Sequence, residues 1–334
     1  LTITDATGAT ATDDVVVNVA WTTPLPPQKG DRGGWHFVTS ATLATDRANT
    51  NNLANVGDYI IDGANDGYVI GGKKTDIYLS QLNAPASYPG FTIGAGNKIL
   101  IAPGIYDSVV LEFGQDIVKG AAGNPAIITS WGQLEAQSMR IKNIRFTKVT
   151  GKYVPGVSGS AAYPGHANGY AFSQGKYGIY INNNWSSVVA AGLNIAGEYT
   201  NDVEVEYVEA GNGTFSPLTI KDPSATALDY NNISVHDTYL HDTGGEGTYQ
   251  GQTTADPVHL INGLRFYNNR LVRLGNEGIQ IGQQGTNNEI YNNVIVMPAT
   301  RFRSPFQESQ YFGVQLGYRN GGNKFYNNVV LGSG

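Results

Sequence analysis

Of the 334 residues only 14% are charged, against about 25% in an ordinary soluble domain, while glycine (43) and tyrosine (20) are abundant and cysteine is absent. The formal net charge of −6 offers no basic footprint for nucleic acid, and no run approaches the roughly 18 apolar residues of a membrane helix. Lack of cysteine excludes a disulfide scaffold and thiol chemistry.

Taken in chain order, residues 1–20 (LTITDATGATATDDVVVNVA) predict two alternating strands around a glycine-containing turn, with Leu1, Ile3, Val15, Val17 and Val19 on one side. Twenty residues do not close a sandwich. The stretch resembles the last hairpin of the PKD or Ig-like modules of large bacterial surface and secreted proteins, which implies a truncated module, a longer multidomain chain and a secreted or cell-surface setting. Residues 21–34 (WTTPLPPQKGDRGG) read as a Pro/Gly linker, and 35–334 as one further domain. Within it, 35–95 is the least legible part: DGANDGYVIGGKKTDIYLSQ (62–81) reads equally as an opening coil or an inserted loop. The chain stops at LGSG directly after a strand, so the domain is expected to be truncated at its C-terminal end.

The second half repeats itself. Tyr-Asn-Asn recurs in 229–235, 266–272, 290–296 and 325–331, and a second element recurs as YGIYIN (177–182), EGTYQG (246–251), EGIQIG (277–282) and FGVQLG (312–317). Residues 236–251 align without gaps on 267–282, a shift of 31. Coils of this size with short apolar strands are solenoid rungs. Period-two alternation places Ile279 and Ile281 inward with Gln280 outward, and matches them to Val314/Leu316 and Ile179/Ile181. Asn-Asn suits left-handed turns, and stacked Asn amides can bond from coil to coil. The expected fold class is all-β, a right-handed parallel β-helix. NKILIAPGIYDSVVLEF (97–113) followed by GNPAIITSWG (123–132) resembles the opening rungs of parallel β-helix lyases and their relatives, which implies the same architecture.

Outward residues of a solenoid form flat columns with a pitch of about 4.8 Å, suited to an extended polymer. The expected substrate column holds Tyr180, Tyr249, Gln280 and Gln315, with side chains fit to stack on and hydrogen-bond to sugars; ordinary solvent-facing strand residues would look the same. Reactive side chains concentrate at 236–259: His236, His241 and His259 with Asp237, Asp242, Glu246 and Asp256. Histidine is a base near neutral pH and carboxylates serve as acid, base or metal ligand, although turn aspartates also cap backbone amides. Glu246 and Glu277 hold equivalent rung positions and are expected to stack. Shared structure, a calcium site and a catalytic acid pair are the three readings of that stack.

NEGIQIGQQGTNNEIYNN (276–293) and YRNGGNKFYNN (318–328) resemble the calcium and arginine segments of alginate and chondroitinase B-type polysaccharide lyases. The resemblance implies Glu277 as a metal ligand and Arg319 as a catalytic arginine. Where those lyases carry lysine, this sequence has Gln283 or Gln284, so the base role falls to His241 or His259. Tyr249 would then be the acid, and Arg270 and Arg273 would neutralise a uronate; a hydrolase would use Glu246, Asp242 and Asp256. The expected partner is a polysaccharide, bound and cleaved with lyase ahead of hydrolase chemistry; the rival is a non-catalytic rod of a surface adhesin.

Overall fold

In a computed structural model the described residues are 93–152, 177–186, 191–301 and 310–332, apart from 97, 102–103, 131–132, 223, 225 and 320. Gly165 and the six strands Thr2–Thr4, Thr10–Thr12, Trp35–Phe37, Tyr59–Gly63, Gly67–Gly71 and Asp76–Ser80 are described as well. No helix occurs among these residues. The chain is an all-β parallel β-helix: from Lys98 onward its sheet pairings are parallel, each strand bonding to one that lies a coil later. Coils vary in length, the register step being 30 residues from Val203 to Ile233, 31 from Ser234 to Arg265, 24 to Glu289 and 35 to Lys324.

Three strands make a coil. The first face stacks Ile144–Thr150, Asn201–Glu206, Ile233–His236, Arg265–Tyr267, Glu289–Tyr291 and Lys324–Tyr326. A second face stacks Ile179–Asn182, Val208–Gly213, Tyr239–Thr243, Arg270–Leu274, Val294–Val296 and Val329–Leu331. The third stacks Leu193–Ala196, Leu218–Ile220, Tyr249–Gln250, Ile279–Gln283 and Val314–Arg319. In the earlier coils the second and third faces run together as single nine-residue strands, Gly104–Glu112 and Leu134–Lys142.

Alternation fills the interior, because every second side chain of a strand points inward. Val149, Val205, Val235, Phe266 and Ile290 form one inner column and Ile181, Ala210, Leu240, Leu271 and Ile295 another, all fully buried. On the third face the column Ile195, Ile220, Gln250, Ile281 is broken by the buried amide of Gln250, whose Oε1 has no partner. The glycine after each repeated glutamate is there for contact: a Cβ on Gly278 would lie 2.4 Å from the Gly313 carbonyl of the next coil.

At the corner between the first and second faces the expected asparagine ladder is present. Asn268, Asn292 and Asn327 have φ of 53°, 56° and 54°. The following residues stack: Asn269 Nδ2 donates to Asn293 Oδ1 (3.0 Å), and Asn293 Nδ2 to Asn328 Oδ1 (2.9 Å). Two alignments need correction. Tyr230–Asn232 sits at a different corner, ahead of the first face, where Tyr230 pairs with Ile261. YGIYIN belongs to the second face, not the third, since Ile179–Asn182 pairs with Leu134–Ala136 and Val208–Gly211. Both errors have one cause: coil lengths differ, so equal letters fall on unequal places.

The ambiguous 62–81 segment is an opening coil. Gly67–Gly71 pairs in parallel with Lys98–Ile101 and Asp76–Ser80 with Ser108–Glu112, while Trp35–Phe37 and Tyr59–Gly63 add antiparallel strands at that edge. Near the start of the chain Thr2–Thr4 pairs antiparallel with Thr10–Thr12; Leu1, Val15, Val17, Val19 and the linker 21–34 lie outside the described residues.

Candidate functional site

The histidine-rich segment is divided by a corner. His236 ends a first-face strand and His241 lies in a second-face strand, so the two point from different faces. His259 faces neither: it is fully buried, its Nε2 donating to the Thr226 carbonyl (2.8 Å) and its Nδ1 unpartnered.

On the second face His241 lies between two carboxylates, Nε2 3.2 Å from Glu209 and Nδ1 2.7 Å from Asp242, and stacks on Tyr239 at 4.1 Å. Both imidazole nitrogens are therefore engaged. Arg273 grips Asp242 through Nε and a terminal nitrogen; against the cost of burial, that grip and His241 hold the Asp242 carboxyl below its ordinary range. Tyr180 and Arg270 share a column here with Glu209 and Tyr239. Gly165, from the 152–175 segment, comes so close that a Cβ on it would sit 2.8 Å from the Tyr207 ring. Gly165 thus packs against the residue that leads into the second-face strand Val208–Gly213.

On the third face Tyr249, Gln280 and Gln315 form one register column, as the repeat implies. Tyr180 is not in it. The column is not open either: Tyr249 is 8% and Gln280 7% exposed. Tyr249 bonds to Thr253, carries Lys221 over its ring at 3.8 Å, and lies 6.0 Å from Phe215. Gln280 donates to Gln315 at 2.6 Å. Gln283, in the position of the lyase lysine, is buried and ties down the 254–259 loop, donating to Thr254 and Pro257 carbonyls and accepting from the His259 amide. Gln284 accepts from Asn323. Asp256 and Arg319 are exposed, the first on that loop and the second opposite Gln283 on the next strand.

Between the second and third faces the predicted glutamates stack below the surface. Glu246 is 4% exposed and Glu277 fully buried. Glu246 accepts from Ser216 Oγ (3.1 Å) and Asn276 Nδ2 (3.4 Å). Both Glu277 oxygens and Asn276 Oδ1 have no hydrogen-bond partner. Burial pushes the Glu277 carboxyl up to about 7 and the charge of Glu246 adds to this; the backbone amides of Glu277 and Tyr311 offset part of it without meeting hydrogen-bond geometry. Ala299 and Arg301 bond along this corner, to the Asn276 and Gly275 carbonyls, so residues 297–301 run beside it; residues 302–309 lie outside the described set. Buried anionic oxygens without donors fit a hard cation such as calcium, which takes six to eight oxygen ligands.

The first face holds what sequence reasoning missed. Its outward residues form two parallel columns. One runs Lys148, Glu204, Ser234, Arg265, Glu289, Lys324; the other runs Thr150, Glu206, His236, Tyr267, Tyr291, Tyr326. The rings of the second column stack at 4.6, 4.9 and 5.0 Å, within 14° of parallel. Glu204, Glu206 and His236 bring ligand-type atoms within 4.8 Å of one another. Their charges are already matched: Lys148 Nζ lies 2.7 Å from Glu204 and 3.5 Å from Glu206, and His236 bonds Asp237 (2.7 Å) and Glu204 (3.0 Å). Burial opposes the charge on His236, yet the Asp237 and Glu204 hydrogen bonds outweigh it and raise the imidazole to about 9. Burial likewise works against Glu204 ionisation, but His236 and Lys148 bring it down to about 2. A divalent ion here would have to displace Lys148, unlike at Glu277. Beside these columns opens a cleft of about 380 Å³, bounded by the 121–125 turn and the first-face strands.

No family model, curated protein or solved structure matches the chain. The lyase candidates do not converge: His241, Asp242 and Arg273 are on the second face, Tyr249 on the third, His259 in the interior, Asp256 and Arg319 on separate exposed segments.

Proposed function

We propose that this β-helix is an extracellular carbohydrate-binding protein that holds a neutral polysaccharide along its first face, with calcium in the Glu246–Glu277 nest as a structural ion. One observation carries the reading: a polar column and a column of stacked rings run side by side at the pitch of the coils, next to a cleft. Stacked rings turn their edges outward, so the tyrosine edges and the adjacent Ser234 hydroxyl offer hydrogen bonds to a hydroxyl-rich chain. Within the polar column Lys148 pairs with Glu204 and Lys324 with Glu289 (3.1 Å), and Arg265 is left as its one cation outside those pairs, which leaves little attraction for a polyanion. Resemblance of 97–132 to polysaccharide-handling β-helices and of 1–20 to PKD or Ig-like modules supports the extracellular setting.

Binding is favoured over cleavage because general acid–base catalysis requires its groups within hydrogen-bond reach of one reacting centre, and the Tyr249 acid lies on a different face from the His241 base and the neighbouring Arg273. The test is a panel of neutral and acidic polysaccharides, with and without calcium, scored for retention, unsaturated uronate absorbance and new reducing ends. Retention of neutral polymers without new ends is expected. Growth of absorbance would establish a lyase instead, and absence of retention across the panel would leave the rod reading in its place.

A further inference from the structure

The first-face cleft lies to one side of the ring column. Phe146, Lys148, Asp202, Glu204, Asn232 and Ser234 of its lining come from three successive coils, and the 121–125 turn forms the opposite rim. The lining is mixed: Pro125 and Phe146 are apolar, while Ser234, the Asn232–Asp202 pair (2.8 Å) and the Lys148–Glu204 pair supply donors and acceptors. Sites for small molecules have this make-up, an apolar lining with a few placed polar groups, and run from about 300 Å³ upward; the cleft is at the small end of that range. A pyranose ring matches it, with a C–H face for the aromatic and apolar wall and hydroxyls around its edge for the polar pairs. An anionic sugar does not match: the two carboxylates, Asp202 and Glu204, face one ammonium that is already bonded to Glu204.

We infer that the cleft binds a single neutral pyranose carried as a side branch of the polymer. The branch follows from position. The rings of Tyr267, Tyr291 and Tyr326 continue the column that begins at the C-terminal ends of the first-face strands, whereas the cleft takes in the N-terminal halves of three of them. A main chain held on the tyrosine edges lies on the coils after Ser234 and to one side of the cleft, which opens on the three coils before Tyr267, so the cleft takes a substituent and not the chain itself. This rests on the reading of the first face as the sugar-binding surface.

Ala122→Trp, on the exposed rim, and Ser234→Phe, on the strand floor, would fill the cleft from opposite sides without touching the inner columns. Two measurements on the full chain separate the claims: saturation-transfer NMR with free neutral hexoses, and retention of matched branched and linear neutral polysaccharides. Wild type should show transfer to a hexose and retain the branched polymer at least tenfold more strongly. Both variants, melting as wild type does, should lose transfer and the branch preference; linear retention should be unchanged in Ala122→Trp and reduced in Ser234→Phe, whose hydroxyl also serves the main chain. Equal retention of branched and linear polymers by wild type, or transfer that survives both variants, overturns the inference. Hexose transfer abolished by the variants, with no polymer retained, would uphold a sugar-binding cleft and refute the wider first-face reading.

Discussion

Two acidic groups of the same chain show how burial and partners decide a charge. Glu204 is half-buried but has Lys148 and His236 beside it, and its carboxyl falls to about 2. Glu277 is fully buried with no donor on either oxygen, and its carboxyl rises to about 7. A carboxyl raised in the folded state binds protons that the unfolded chain releases, so its contribution to stability is present below about pH 4.5 and disappears as pH rises through about 7. His236, raised to about 9, follows the same sign at higher pH: its contribution is complete below about 6.5 and is lost through about 9. Cation binding requires the ionised carboxylate, so calcium should restore what alkaline pH removes at Glu277. Melting curves should therefore show a larger calcium-induced rise at pH 8 than at pH 5, and in Glu277→Gln the calcium response should vanish at both. An equal rise at the two pH values would place the ion elsewhere.

At the scale of the strand and its turn, the asparagine ladder is the element most firmly tied to sequence. Asn293 is fully buried and uses its whole amide: Oδ1 accepts from the Asn269 backbone and side chain, and Nδ2 donates to Asn328 Oδ1 and the Phe266 carbonyl (2.9 Å). Asn293→Ala leaves buried donors and acceptors on two coils unpaired, at roughly 1–3 kcal/mol for such a group, and a loss near 3 kcal/mol by denaturant unfolding is expected. Asn293→Asp keeps the acceptor and should lose less when assayed at acidic pH, where its carboxyl also donates. This corner was legible because Tyr-Asn-Asn performs one task in three successive coils. Face assignment was less so: with register steps of 24, 31 and 35 residues, the strand Ile179–Asn182 reads like a third-face rung and belongs to the second. The five-residue spacing of His236 and His241 hid a corner at Asp237, where φ is 52°. The first-face cleft was hidden for a different reason, its rim at 121–125 and its floor at Ser234 being joined only by coil stacking.

For the whole molecule, the solenoid converts a sequence of low charge into faces of distinct character. The third-face column is covered, the second face carries engaged ion pairs, and the first face stays half-exposed with Lys148–Glu204 and Lys324–Glu289 paired along the axis. This distribution makes a prediction about salt. If a neutral polymer is held by hydroxyl and ring-edge contacts, screening has little to act on, because at about 0.15 M salt the Debye length is already near 8 Å. Retention should change less than twofold between about 0.05 and 0.5 M sodium chloride, a range across which ion-pair attraction to a polyanion would collapse. The net charge of −6 adds repulsion for anionic chains, so lowering salt should weaken their retention rather than strengthen it. A tyrosine at the exposed end of the column, Tyr326 (40% exposed), supports a second arm of the same measurement. Tyr326→Ala should weaken neutral-polymer retention severalfold with its salt profile still flat, whereas a steep salt profile in wild type would show that unpaired charge, and not the ring column, does the holding.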